Sequence, residues 1–195
     1  MQENVLPFPR RISPRRQAVA PNSVVGMTIF IVTELMMFAG FISAFTITRA
    51  AYRTWPPIGQ PRLPASATLF NSAALIASGV LLYLAHRSFS KDVRRTGRLM
   101  LASLLLGTFF VVFQGVEWAQ LLREGLTMTS SNHRAFFYLI IGLHALHAIV
   151  AIVALGVMYA KFVRGKLQRS TFLATQIFWY FVVGVWPVLY LRVYL

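Results

Sequence analysis

Five long apolar runs are the feature that most constrains how this chain can fold. At a helical rise of 1.5 Å per residue, each run is long enough to cross a hydrocarbon core about 30 Å thick. Backbone groups in lipid must be satisfied within the segment, so we expect continuous helices. The sequence predicts an all-α, polytopic membrane protein, a bundle of five transmembrane helices. The runs cover about residues 24–48, 65–85, 99–122, 135–160 and 171–191.

The composition agrees with a membrane protein of one domain. Apolar residues make up 57% of the 195 residues and charged residues 12%, about half the charged share of a soluble domain. Residues 1–23 are polar and basic, and we expect them to form a cytoplasmic N-terminal tail ahead of a transmembrane domain at 24–195. The chain has no cysteine, which excludes disulfides, thiolate metal sites and a cysteine nucleophile.

The basic residues predict an orientation and a class of partner. The chain carries 19 Lys and Arg against five acidic residues, a net charge of +14. If the N-terminus is cytoplasmic and the C-terminus outside, thirteen basic residues fall inside and six outside, as the positive-inside rule requires. No basic helix with interleaved polar residues is available for a nucleic acid, so we expect anionic phospholipid to be the counter-charge.

Two acidic residues lie within the apolar runs, where each charge costs about 2.5–3.5 kcal/mol on insertion scales. Glu34 is about 15 Å into the first run, near the midplane. We expect it to be protonated or hydrogen-bonded, in either a structural or a functional role. Glu117 is about 27 Å along the third run, near the outer interface. For Glu117, the favoured interpretation is snorkelling to water, and a functional role is the alternative.

Two histidines lie three residues apart in the fourth run, and therefore on one helix face. Counted from the outer side, His147 is about 18 Å deep, close to the level of Glu34. His144 and His147 have two open interpretations: haem or metal ligands, or hydrogen bonds to neighbouring helices. Two residues at this spacing cannot ligate one iron from opposite faces, and no third ligand occurs at metal spacing, so hydrogen bonding is favoured. No nucleophile has a paired base. The residues themselves predict no catalytic, cofactor-binding or metal-binding site.

Five stretches, in order, resemble subunit III of the heme-copper cytochrome c oxidases. Glu34 falls on the family's intramembrane Glu, Glu117 on its Q-x-x-E motif, and the two histidines on its H-x-x-H motif. The chain resembles the last five of the usual seven helices, as in short bacterial forms. It departs from the family at Tyr180, where His is usual, and at Gly184, where Asp is usual. The stretches are 27–40 (MTIFIVTELMMFAG), 69–86 (LFNSAALIASGVLLYLAH), 113–119 (FQGVEWA), 136–147 (FFYLIIGLHALH) and 178–190 (FWYFVVGVWPVLY).

The resemblance implies a non-catalytic accessory subunit of a respiratory terminal oxidase in a bacterial inner membrane. It would pack on subunit I, in a complex that also contains subunit II. Membership of a larger supercomplex stays open. The subunit would bind phospholipid and support proton uptake and enzyme longevity. Haem and copper would lie in partner subunits, because the four histidines of this chain are too few for a catalytic subunit. Its lipid-headgroup candidates are residues at helix ends: Arg49, Arg53, His86 and Arg87.

Three alternatives stay open at this point. The first is a subunit-III-like protein associated with nitric oxide reductase. The second is a membrane haem-b electron-transfer protein that uses His144 or His147. The third is a small transporter, which Glu34 favours and the lack of paired broken helices disfavours.

Overall fold

A computed structural model describes residues 21–50, 65–123 and 132–194, and these residues form five long helices and no strand. Each helix is long and apolar enough to cross a membrane. The predicted all-α bundle of five transmembrane helices is confirmed. The helices are α1 (Asn22–Ala50), α2 (Ala65–Ser88), α3 (Val93–Arg123), α4 (Asn132–Val163) and α5 (Arg169–Leu189), followed by a π-helical turn at Tyr190–Tyr194.

The start of α3 differs from the prediction. It begins at Val93 rather than at residue 99, because Asp92 caps it: the Asp92 Oδ1 atom accepts the Arg95 backbone N–H at 2.9 Å. Residues 86–98, which separate the second and third apolar runs, therefore belong mostly to α2 and α3. The first 20 residues, expected to form most of the tail, lie outside the described residues.

Helix α5 is the central element of the bundle, since it contacts α1, α2 and α4. Two tryptophans fix it to α2 through buried hydrogen bonds. The Trp179 Nε1–H donates to Ser78 Oγ at 3.0 Å, and the Trp186 Nε1–H donates to Ser72 Oγ at 2.7 Å. Each such bond contributes about 0.5–1.5 kcal/mol and satisfies an indole N–H that has no water available. The two bonds set the register between these antiparallel helices.

Helices α3, α4 and α5 meet at Gly107. A Cβ atom there would lie 2.7 Å from the Trp179 ring and 2.8 Å from Ile152 Cδ1. The missing side chain therefore lets the indole ring of α5 reach the α3 backbone. Glycine at this position is a packing requirement, and not a source of flexibility.

We expect Gly107→Ala to destabilise the bundle by about 1–3 kcal/mol, because the methyl group must displace a buried indole ring. The matched control is Gly156→Ala in α4, where a Cβ atom would meet nothing within 4 Å. Thermal unfolding of the two variants in the same detergent measures the difference. Equal melting temperatures would show that the three helices are not held by this close approach.

Candidate functional site

The two intramembrane groups that the sequence places at similar depth meet in the structure. The Glu34 Oε2 atom on α1 lies 3.1 Å from the His147 Nε2 atom on α4. The two side chains are largely buried, with exposed fractions of 16% and 11%. Rings of Phe38, Phe178 and Phe181 surround the imidazole, with centroids 5.6–6.3 Å away. The contact therefore joins two helices in an apolar environment.

The backbone determines which nitrogen of His147 carries a hydrogen. The His147 Nδ1 atom lies 2.7 Å from the Leu143 carbonyl oxygen, which can only accept a hydrogen bond, so Nδ1 carries a hydrogen. A hydrogen bond between Nε2 and Glu34 then needs one proton between the two side chains, and such a pair has no net charge. A neutral pair is the form that an apolar bundle tolerates.

His144 behaves differently from its neighbour. Both of its ring nitrogens are buried and have no hydrogen-bond partner among the residues that the structure describes. Its ring stacks on Trp186, with centroids 5.4 Å apart and planes inclined by 26°, and meets the edge of Phe38. The hydrogen bond expected for His144 is therefore wrong, because α5 presents an aromatic surface to it rather than a polar side chain.

This geometry disfavours haem binding by either histidine. The two nitrogens of His147 face the Leu143 carbonyl and Glu34, and those of His144 are enclosed against other rings. Within the described ranges, no group of three or more His, Asp or Glu side chains lies close enough to hold a metal ion. The arrangement can hold a proton and connect helices.

Glu117 is buried, with an exposed fraction of 7%. Its Oε2 atom accepts hydrogen bonds from Thr68 Oγ1 at 3.2 Å and from Gln114 Nε2 at 3.0 Å. The Asn71 Nδ2 atom in turn donates to the Phe110 carbonyl oxygen at 3.1 Å. The predicted snorkelling of Glu117 is wrong, because the buried side chain bonds to Thr68 on α2 and to Gln114 on its own helix.

The predicted lipid-headgroup residues do not form one site. The Arg49 Nη1 atom, at the end of α1, donates to the Arg192 carbonyl oxygen at 3.3 Å. His86 and Arg87 lie at the opposite end of the bundle, where His86 packs against Phe172. Arg53 lies outside the described residues.

The two departures from the family pattern lie in one groove between α1 and α5. Tyr180 and Gly184 line a cavity of about 500 Å³ there, and Gln176 Nε2 donates to the Tyr180 hydroxyl at 2.6 Å. A Cβ atom on Gly184 would meet nothing within 4 Å. The departures therefore change a surface groove and leave the Glu34–His147 contact intact.

The fold and these contacts define a polytopic membrane subunit whose described polar residues connect helices. A sequence model of the family Cytochrome c oxidase subunit III matches residues 14–195. The chain belongs to the cytochrome c oxidase subunit III family, and the resemblance seen in the sequence is confirmed. It is therefore the accessory subunit III of a respiratory heme-copper oxidase.

Relatives from distant organisms agree with this assignment. Cytochrome c oxidase subunit 3 of Pelomedusa subrufa is 31% identical over 91% of this chain and 70% of its own length. Probable cytochrome c oxidase subunit 3 of Mycobacterium leprae is 33% identical over 89% of this chain and 88% of its own length. The corresponding protein of Nocardia farcinica is also 33% identical, with the same coverage of both chains. The similarity therefore extends over most of the bundle.

We expect Glu117→Gln to assemble normally and Glu117→Leu to lose about 1–3 kcal/mol of stability. The Gln amide oxygen can accept the bonds from Thr68 and Gln114, whereas Leu removes the acceptor of both buried bonds. Thermal unfolding and subunit content of the purified complex measure the effect. A Glu117→Leu variant as stable as the Gln variant would contradict a structural role for this cluster.

Proposed function

We propose that this subunit packs on subunit I, beside subunit II, and prolongs the oxidase's activity without taking part in oxygen reduction. The observation that carries the proposal is the Glu34–His147 contact of 3.1 Å. In this contact, the intramembrane carboxylate of Glu34 pairs with a residue of its own chain. We propose that the pair is neutral and fixes α1 on α4. In this proposal, the pair supports proton uptake by keeping the subunit's helices in place beside subunit I.

We place the subunit in a bacterial inner membrane with its N-terminus in the cytoplasm and its C-terminus outside. Two of the relatives above are bacterial and similar over 88% of their own length, which supports the short bacterial form. The positive-inside rule supports the orientation, because the end of the bundle at which α2 meets α3 and α4 meets α5 is strongly basic. We call it the basic end. The oxidase names of the relatives favour an oxidase over a nitric oxide reductase as the parent enzyme.

We also propose that phospholipid headgroups contact the helix ends named above. Arg87 is exposed at the end of α2, with its Cζ atom 5.9 Å from the centre of the Tyr83 ring. Arg49, half-buried at the other end of the bundle, holds the backbone of the final turn. Guanidinium groups bind phosphate oxygens through two parallel hydrogen bonds, which suits both positions.

We expect Glu34→Gln to assemble and to keep the initial rate of oxygen consumption, because an amide preserves shape and hydrogen bonding to His147. Glu34→Ala leaves the His147 Nε2 atom unpaired, so it should weaken packing by about 1–3 kcal/mol and shorten the active period. Progress curves of oxygen consumption by the purified complexes, with subunit content checked on gels, measure both quantities.

The matched control for Glu34 is Met36→Leu, on the same helix at nearly the same depth but 72% exposed to the membrane. It should behave like the parent complex in rate and in active period. Complete loss of the initial rate in a fully assembled Glu34→Gln complex would refute the accessory role and make Glu34 a required proton carrier.

Removal of lipid from the purified complex should shorten its active period, and added phospholipid should restore it. The complex is stripped with detergent, then mixed with phosphatidylglycerol or phosphatidylcholine, and oxygen consumption is followed to completion. Arg87→Gln should need more lipid for the same recovery, because a phosphate-binding group is gone. If neither lipid restores the stripped parent complex, the lipid role is wrong.

A further inference from the structure

A concave surface between the first turns of α3 and the last turns of α4 belongs to none of the sites described so far. It encloses about 600 Å³ at the basic end. We call it the α3–α4 groove, defined by its lining residues: Val93, Arg94, Gly97, Arg98, Tyr159 and Phe162.

Glycine shapes the floor of this groove. A Cβ atom on Gly97 would lie 3.0 Å from Phe162 Cε1, so the aromatic ring of α4 packs on bare backbone of α3. Arg94 and Arg98 are four residues apart, one helical turn, and therefore extend from the same face of α3. The result is an apolar floor flanked by two guanidinium groups.

The polar groups that line the groove have no partner within the described part of the chain. Arg94 and Arg98 form no ion pair with a described carboxylate. The described acidic residue nearest in sequence, Asp92, uses its Oδ1 atom to cap α3. Tyr159 is half-buried, and its hydroxyl group makes no hydrogen bond to a described residue. Two cations and a neutral donor therefore line one concavity without an anion.

The positive charge around the groove also favours the binding of an anion. Around the groove, the connections and helix ends of the basic end carry further cations and one described acid, Asp92. A negatively charged ligand is therefore favoured over a neutral one by the whole end of the bundle, and not by the two lining arginines alone. The further cations are Arg87, Lys91, Arg95, Lys161, Arg164, Lys166 and Arg169.

The groove lies where a headgroup meets the hydrocarbon core. The apolar run of α3 follows Arg98, and the candidate membrane span of α4 ends at Val163. A ligand in the groove therefore has its charged part among the arginines and its apolar part against Phe162 and the helix surfaces beyond it. An anionic glycerophospholipid has this combination, since a phosphodiester joins its headgroup to two acyl chains.

We propose that the α3–α4 groove binds one anionic glycerophospholipid. Arg94 and Arg98 hold the phosphate from two sides, Tyr159 donates to a phosphate or ester oxygen, and Phe162 contacts the start of an acyl chain. This site is separate from the helix-end residues considered above, and it requires only that the chain lies in a membrane.

The test is a lipid titration of the whole purified complex followed by native mass spectrometry. The probe is phosphatidylglycerol, and phosphatidylcholine serves as the neutral comparison. The double variant Arg94→Gln/Arg98→Gln should bind phosphatidylglycerol about tenfold more weakly, as expected for the loss of charge-assisted hydrogen bonds. The matched control Arg95→Gln/Arg164→Gln removes two charges from the same end without touching the lining residues, and it should lose much less affinity than the double variant.

Two further variants keep the test decisive if the double variant does not assemble. Arg94→Lys keeps the charge and loses the planar fork, so it should weaken phosphatidylglycerol binding less than the double variant. Tyr159→Phe should give a smaller loss, with assembly unchanged. Parent affinity for phosphatidylglycerol in both of these variants would overturn the proposal.

Three other outcomes would also overturn it. An equal loss of phosphatidylglycerol affinity in the double variant and in its control would show a general effect of charge and not a specific site. Equal binding of phosphatidylglycerol and phosphatidylcholine by the parent complex would contradict the preference of the groove for an anionic lipid. Cross-linking of an acidic segment of another subunit to Arg98 would assign the groove to a protein partner.

Discussion

Hydrogen bonds between buried polar side chains are the interaction on which the arrangement of this bundle depends. Apolar surface alone does not choose between helix orientations in lipid, because the acyl chains are as apolar as the side chains. A polar group left without a partner there is costly, which restricts the allowed rotations of each helix. The bonds from Trp179 to Ser78 and from Trp186 to Ser72 impose this restriction on α5 and α2. Since α5 also contacts α1 and α4, its position is transmitted to the rest of the bundle.

The position of α5 also determines the geometry of the Glu34–His147 contact. Ser72 holds the indole of Trp186, and the indole forms the surface on which His144 stacks. The stacking sets the rotation of α4, and His147, one turn further on, therefore points at α1, where it meets Glu34. A continuous series of contacts thus runs from α2 through α5 and α4 to the carboxylate near the midplane. The buried aromatic packing of His144 and the polar contact of His147 therefore both follow from the same rotation of α4.

Depth along a helix was predictable from the sequence, whereas rotation about the helix axis was not. Residue counting placed Glu34 and His147 at nearly the same level, and the two side chains meet. The same counting placed Glu117 near the outer interface, but its burial depends on which face of α3 meets α2. Gly107 could not be singled out either, since its importance comes from an indole ring that belongs to a distant part of the chain. The early start of α3 depends on a local cap by Asp92, which hydropathy does not detect.

The distribution of satisfied and unsatisfied charge indicates where this subunit meets other molecules. Inside the bundle, Glu34 lies against His147, and Glu117 accepts hydrogen bonds from its own chain. At the basic end, by contrast, cations such as Arg94 and Arg98 outnumber carboxylates and lie in a concave surface. Charge that the chain does not neutralise must be neutralised by lipid, solvent ions or another subunit. The cations that the described chain leaves without a carboxylate partner therefore make the basic end the part of the bundle that most favours anionic molecules.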